Sequence, residues 1–363
     1  MRGKNFKRLG LFLLLFLILV FGINIPTPEP EENFETLISG EITGAFNTEI
    51  SSGEESIVEQ TLSILLKDGQ TIEIQNSDIA GPDARLFKEG DKIFVSKMEL
   101  PDTEASYFIQ DFDRRTPLYI LFGIFCAMVV LISGRQGLES FLGMAFSFTV
   151  LIKLVLPLLI LGVEPVLAAL AGSALIIPST FYLSHGFSRK TNVAIGGTLL
   201  TLALTGLLAE IFIPLSKLSG LADESAFYLK VGSEVTLNFQ GLLLAGVLIS
   251  ILGILDDITI SQASIAEELR ATKPNIHFKE LYTRCMNVGR DHIASMVNTL
   301  ILVYAGSSLT LMLLFLSSDY AFDQIMNIEL VAQEIVHTLI GSIGLICAVP
   351  LTTFLACLKQ KKG

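Results

Sequence analysis

The stretch Gly241-Leu-Leu-Leu-Ala-Gly-Val-Leu-Ile-Ser-Ile-Leu-Gly-Ile-Leu-Asp-Asp257 is an apolar run of membrane-span character that ends in two adjacent acids. A carboxylate inside hydrocarbon costs roughly 2.5 to 3.5 kcal/mol at mid-bilayer on insertion scales. Two such groups in succession therefore indicate a polar site within a protein rather than contact with lipid. The alternative interpretation is that Asp256 and Asp257 cap a membrane helix at the lipid headgroups, since they lie near its polar end.

The same stretch also carries a pattern of small residues. At about 100° per residue, Gly246, Ser250, Gly253 and Asp257 fall on one face of a helix. Small residues allow a second helix to approach closely. The pattern therefore predicts that Asp257 lies on a helix-packing seam and that Asp256 points about a quarter-turn away.

The composition extends this interpretation to the whole chain. The 363 residues are 51% hydrophobic and 17% charged, which is typical of a protein that crosses the lipid bilayer several times. The net charge of -11 argues against binding to nucleic acid, which requires a basic surface. The four cysteines have no metal-ligand spacing, and we expect neither a metal nor another cofactor.

The apolar runs predict about eight membrane spans. The first, over residues 9–25, follows a basic N-terminus and precedes a Pro/Glu segment without the small residues of a cleavage site. We therefore expect an uncleaved anchor rather than a removed signal peptide. Seven further helices are predicted at about 117–134, 138–161, 165–183, 193–214, 239–260, 292–316 and 334–357.

The distribution of charge between these runs predicts an orientation. Basic residues concentrate in 134–137, 188–190, 265–291 and the C-terminal tail, whereas the alternate loops are acidic. Under the positive-inside rule, both termini are cytoplasmic and residues 26–116 are extracytoplasmic. We expect a polytopic protein of a bacterial inner membrane.

Residues 26–116 predict a small all-β domain between the first and second spans. The alternating runs Thr61–Leu66 and Gln70–Ile74 flank Lys67-Asp68-Gly69, which is a hairpin signal. Lys92–Ser96 and Ser106–Ile109 predict further strands. Four or five short strands are typical of an OB-like barrel, which we expect to dock a partner or act as a spacer. The predicted domains are thus an anchor at 1–25, this domain with its linker at 26–116, and a seven-span domain at 117–363.

The span after the acidic pair carries a second polar pattern. Asp291, Ser295, Asn298 and Thr299 recur on one face of an otherwise apolar helix. Because this helix and the preceding one are predicted to be antiparallel neighbours, we expect Asp256, Asp257 and Asp291 to approach one another. Clustered carboxylates in a low dielectric share protons or bind cations. The supporting polar residues are Arg290, His292, Ser295, Asn298 and Thr299. In the alternative interpretation, Arg290-Asp291-His292 is only an interfacial anchor.

Polar residues are also expected at the outer membrane surface. Glu334 and His337 are three residues apart on the last helix, and Glu210 lies near the outer end of another. Glu-x-x-His is a metal-binding spacing, but no pair of histidines has ligand spacing, so a hydrated vestibule is favoured. Lys153 lies too deep to reach the surface easily, and we expect an acid on a neighbouring helix to pair with it.

Several of these strings together resemble the YibE/F-like family of bacterial integral membrane proteins. The resemblance implies a multi-pass membrane protein and no established activity. The residues that carry it are Gly253–Gln262, Ala266–Leu269, Gly289–Ser295, Asn298–Leu300, Ala305-Gly306 and Glu334–Gly344.

Residues 193–357 more distantly resemble the membrane half of the SecD/SecF export subunits, which belong to the RND superfamily. Alignment through Glu267-Glu268-Leu269-Arg270 places the acids of that family on Asp256 and Asp291. In that superfamily such acids carry protons. The resemblance thus favours Asp256 where the packing pattern favours Asp257. This chain differs from the SecD/SecF subunits in three respects: it has two extra spans, its soluble domain is smaller, and a second Asp, Asp257, follows Asp256.

Two functions from different classes follow. The first is an ion- or proton-coupled transporter or membrane machine that uses Asp256, Asp257 and Asp291 and moves an unidentified solute. The second is a non-transporting scaffold or assembly factor that binds a partner through its extracytoplasmic domain. Either could act as a homo-oligomer or with a paired membrane subunit. No nucleophile and base are suitably spaced, and we expect no enzyme activity.

Overall fold

The computed structural model describes residues 35–52, 55–79, 86–98, 105–232 and 237–358. They belong to two compact units, one within residues 28–132 and one that starts at Ser133. The first unit extends to Ile132, and the domain boundary at 116 stays a prediction. The predicted anchor at 9–25 and the Pro/Glu linker lie outside the described residues.

The first unit contains a five-stranded antiparallel sheet with the strand order β3-β2-β1-β4-β5. Its core consists of aliphatic side chains that alternate along the strands, among them Ile42, Leu62, Ile64 and Ile93, each at most 1% exposed. The strands are β1 (Glu35–Ser52), β2 (Glu55–Leu66), β3 (Thr71–Ile79), β4 (Lys92–Met98) and β5 (Ser106–Phe112).

The hairpin around Asp68-Gly69 is confirmed. Gly69 has a φ of 90°, and the carboxylate of Asp68 accepts a hydrogen bond from the backbone of Gln70 at 3.0 Å. The first strand was not predicted, because Gly40 and Gly44 interrupt its apolar alternation. Gly40 is required by packing, since a Cβ there would lie 2.7 Å from Cγ2 of Ile64.

Ten helices and one π-helical turn follow in the described residues. Helix α1 (Arg115–Val150) is broken at Gly134, which has a φ of 55°. The π-helical turn Leu151–Val155 comes next. The others are α2 (Leu156–Ile160), α3 (Pro165–His185), α4 (Arg189–Leu215), α5 (Glu224–Gly232), α6 (Phe239–Thr272), α7 (Phe278–Ser307), α8 (Leu309–Leu316), α9 (Phe322–Met326) and α10 (Glu329–Cys357).

The described residues include six helical segments long and apolar enough to cross a membrane, and a seventh span if α7 and α8 count together. Two of the six are Arg115–Gly134 and Gly137–Ile160, which lie on either side of the break in α1. Helices α7 and α8 are bent by 66° at their junction. All seven predicted positions coincide with helices, but α6 continues to Thr272 and α7 begins at Phe278. The extensions contain Ala, Glu, Leu and Arg, which favour helix even where the chain is charged.

Helices α4, α6 and α10 pack on one another at the centre of the second unit, and α3 and α7 also pack against α6. The central contact is partly polar. The hydroxyls of Thr198 and Thr259 are 2.9 Å apart, and the hydroxyl of Thr353 donates to Oε1 of Gln262 at 3.1 Å. Because hydrocarbon offers no competing partners, such bonds hold helices in register.

Candidate functional site

The acidic pair lies on α6, but the packing seam predicted for Asp257 is wrong. A Cβ added at Gly246 or at Gly253 would meet no atom within 4 Å. Helix α6 packs instead through large aliphatic residues such as Leu248, Ile251 and Leu255. Since Asp256 lies beside that buried face, it is half-buried, whereas Asp257 is exposed.

Asp256 and Asp257 line a common cavity of about 350 Å³. Parts of α1, of the π-helical turn, of α3 and of α6 surround it. Much of its lining is polar, although the surrounding helices are apolar. The polar side chains that join the two acids are Ser140, Ser147, Thr180, Ser184 and His185.

Two of the hydroxyl groups that line this cavity, those of Ser147 and Thr180, are oriented as acceptors. The hydroxyl of Ser147 donates its proton to the carbonyl of Gly143 at 3.1 Å, and that of Thr180 donates to Ile176 at 2.8 Å. A hydroxyl that has donated its one proton can only accept from a further group. The cavity therefore offers lone pairs to a proton carrier or a cation.

Asp256 provides the most constrained group in the cavity. Its Oδ1 atom is buried and has no hydrogen-bond partner in the described part of the chain. A buried polar atom without a partner is uncommon and costly. Protonation of the carboxyl group, a bound water or a bound cation would each satisfy it.

His185 is the one side chain among the described lining residues that can carry a positive charge. It is the last residue of α3, directly after Ser184. Sequence reasoning did not select it, because a single histidine at the end of an apolar run resembles an ordinary interfacial residue. Only the packing of α3 beside α6 reveals its position.

Asp291 does not line this cavity. The preceding Gly289 is buried, and a Cβ there would lie 3.0 Å from Nε2 of Gln262 on α6. Asp291 follows two residues later, roughly 200° around the helix, and is exposed. The structure thus brings Asp256 and Asp257 together and leaves Asp291 on a different face.

Most of the other polar residues predicted on α7 are exposed, as Asp291 is. Arg290, Ser295, Asn298 and Thr299 are all exposed, and the hydroxyl of Thr299 donates to the carbonyl of Ser295 at 3.0 Å. His292 is half-buried, and its Nδ1 atom is buried without a partner in the described residues. The residues of the predicted polar stripe are thus on α7, but none of them is among the described residues that line the cavity of Asp256 and Asp257.

A second polar cluster joins α6, α7 and α10. Nε2 of His337 lies 2.8 Å from the hydroxyl of Ser250 and 3.5 Å from that of Tyr304. The one proton of Ser250 can go to the carbonyl of Val247 at 2.9 Å or to Nε2 of His337, so the direction of the Ser250–His337 bond follows the tautomer of His337.

The other predicted outer acids do not complete a metal site with His337. Glu334 lies one turn earlier on α10 and is half-buried, while Glu210 is exposed on α4. Within the described ranges, no group of three or more His, Cys, Asp or Glu side chains could hold a metal ion.

Lys153 lies in the π-helical turn and is exposed. The structure shows no ion pair between it and another described residue, so the acid expected to neutralise it is not found in this part of the chain.

One comparison with known proteins gives a match. The family described as YibE/F-like protein matches residues 121–362, which include the cavity and the cluster around His337. Neither curated proteins nor solved structures give a match.

Proposed function

The chain belongs to the YibE/F-like protein family, and from this premise we propose that it couples the movement of protons or cations to transport or to work across a membrane. Its apolar helices identify a membrane protein. The family description names no activity. The function is therefore argued from the cavity around Asp256 and Asp257.

The observation that carries the proposal is a cavity among membrane-length helices that contains two adjacent carboxyl groups and two acceptor hydroxyls. Two neighbouring carboxylates in a low dielectric repel each other unless a proton or cation lies between them. Occupation and release of that ion would then change the charge of the cavity. Such a change is the elementary step of an ion-coupled machine.

Asp256 is proposed as the principal carrier, because its Oδ1 atom is buried and lacks a partner among the described residues. Asp257 is exposed and is proposed to exchange the ion with water. Asp291 remains in the proposal as an accessible acid on the adjacent helix α7. The proposal keeps the predicted inner-membrane location with cytoplasmic termini.

The test compares purified wild-type protein with Asp256→Asn and Asp257→Asn in proteoliposomes that contain a pH-sensitive dye. We expect a proton flux in the wild type that falls at least about tenfold in Asp256→Asn, because the amide cannot ionise. Asp319→Asn, in an exposed turn, is the matched control and should retain the flux. Wild-type flux in both cavity variants would refute the proposal.

A scaffold function is the second candidate, and the surface of the sheet favours it. Leu37 and Phe108 are 59% and 55% exposed, and both are in register with Ser96 across β1, β4 and β5. An exposed apolar pair on a sheet is suited to a protein partner. We also infer an OB-like closure of this sheet, since the hydroxyl of Tyr107 in β5 lies 3.5 Å from Oε1 of Gln70, which directly precedes β3.

A further inference from the structure

A second cavity, of about 270 Å³, lies where the end of α6 and the end of α10 meet the start of α4. Three basic side chains and one acidic side chain line it: Arg189, Lys190, Arg270 and Glu267. The remaining lining residues are small or apolar, among them Val193 and Ala263. None of them lines the cavity of Asp256 and Asp257.

The two arginines are anchored by the end of α10. Nη2 of Arg189 donates to the carbonyl of Leu358 at 2.7 Å, and Nη2 of Arg270 donates to that of Cys357 at 2.9 Å. A guanidinium has five N–H donors in a fixed plane, so these contacts orient each group and leave further donors. The arginines are thus held in place by uncharged acceptors, and their charge is not cancelled there.

Lys190 differs from the arginines. It is half-buried, and no hydrogen bond joins its ammonium group to a described residue. Among the described lining residues Glu267 is the one acid, so these residues carry a formal excess of two positive charges. The N-terminus of the long helix α4, capped by Ser188, adds to the positive potential.

We propose that this cavity binds the phosphate group of an anionic phospholipid. Arg270 and Lys190 supply charge-assisted hydrogen bonds to the phosphate oxygens, and the apolar wall at Val193 and Ala263 accommodates the adjoining glycerol and acyl carbons. A lipid is favoured over a soluble phosphate because the cavity lies at the ends of three membrane-length helices. Basic pockets in this position attract acidic headgroups.

The experiment uses the full-length protein in a neutral detergent. Its Tm is measured during titration with phosphatidylglycerol, with phosphatidylcholine and with inorganic phosphate. We expect phosphatidylglycerol alone to raise Tm in a saturable manner. Lys190→Gln and Arg270→Gln should raise the apparent Kd for phosphatidylglycerol about tenfold, as loss of a charged hydrogen bond implies.

Lys190→Gln is the decisive variant, because Arg270 also contacts the end of α10 and its loss could disturb folding. Lys279→Gln, at an exposed position on α7, is the matched control and should bind like the wild type. An unchanged Kd in Lys190→Gln would overturn the proposal. An equal Tm rise with inorganic phosphate would overturn the lipid as ligand and assign a soluble anion. Neither result bears on proton flux through the acidic cavity.

Discussion

At the scale of single residues, two adjacent acids have different environments because consecutive helical positions diverge by about 100°. Asp256 borders the aliphatic face of α6 and is half-buried, whereas Asp257 is exposed. The small-residue pattern suggested the opposite, since it assumed that glycines mark the packed side. Here large side chains fill the contact, and Gly253 lies in the wall of the cavity.

A residue-scale prediction concerns Asp113, which precedes α1. Arg115 donates to both carboxylate oxygens, at 2.8 and 2.5 Å, and these hydrogen bonds lower the pKa of Asp113 from 3.8 to about 2. A lowered pKa stabilises the fold above the ordinary pKa, and that stabilisation is lost as pH falls towards 2. We expect Asp113→Asn to reduce the loss of Tm between pH 4 and pH 2, measured by thermal unfolding.

Because Arg115, the partner of Asp113, is exposed to solvent, the expected change in Tm is small. Glu41→Gln, on an exposed part of β1, provides the control and should follow the wild-type pH dependence. An identical pH profile for Asp113→Asn and the wild type would contradict the assignment.

At the scale of helices, a few glycines allow close packing in the helical unit. At each of them the backbone of one helix lies against a side chain of a neighbouring helix. Gly289 on α7 faces Gln262 and Val349. Gly344 on α10 similarly faces Thr205 on α4, where a Cβ would lie 2.5 Å from the hydroxyl. The register of these helices therefore depends on particular glycines, whereas Gly246 and Gly253 have no atom close to where a Cβ would stand.

Gly289→Ala and Gly246→Ala are a matched pair of variants that compares a tightly packed glycine with an open one. The first places a methyl group against Cγ1 of Val349, and overpacking of this kind costs about 1–3 kcal/mol. The second meets nothing within 4 Å and gains helix propensity of up to about 1 kcal/mol. Unfolding in denaturing detergent should show Gly289→Ala less stable than the wild type and Gly246→Ala equal or more stable. Equal stability of the two variants would show that the contact at Gly289 is not tight.

At the scale of the whole molecule, the chain combines a β-sheet unit with a helical unit. The two candidate functions assign the activity to different units, the acidic cavity to the helical unit and the exposed apolar pair to the sheet. A substitution confined to one unit can therefore distinguish them.

Leu37→Ser with Phe108→Ser is the substitution that separates the two functions. If the sheet only positions or spaces the membrane unit, the double variant should keep wild-type proton flux in proteoliposomes and wild-type complementation of a deletion strain. Lost complementation with intact flux would favour the scaffold function. Leu65→Ser, at another exposed position of the sheet, controls for general loss of surface apolar area.

Local sequence was sufficient to predict the membrane class, the approximate places of the long apolar helices, the β2–β3 hairpin and an acidic pair at the end of an apolar run. These features follow from local composition and periodicity, which act within one element. The packing of the helices was needed to show that Ser147, Thr180 and His185 line one cavity with Asp256 and that Asp291 does not line it. It was also needed to show that Arg189 and Arg270 meet at the end of α10. The physical reason is that the direction of a side chain depends on which helix packs against which face, and that choice is made by contacts between residues far apart in the chain.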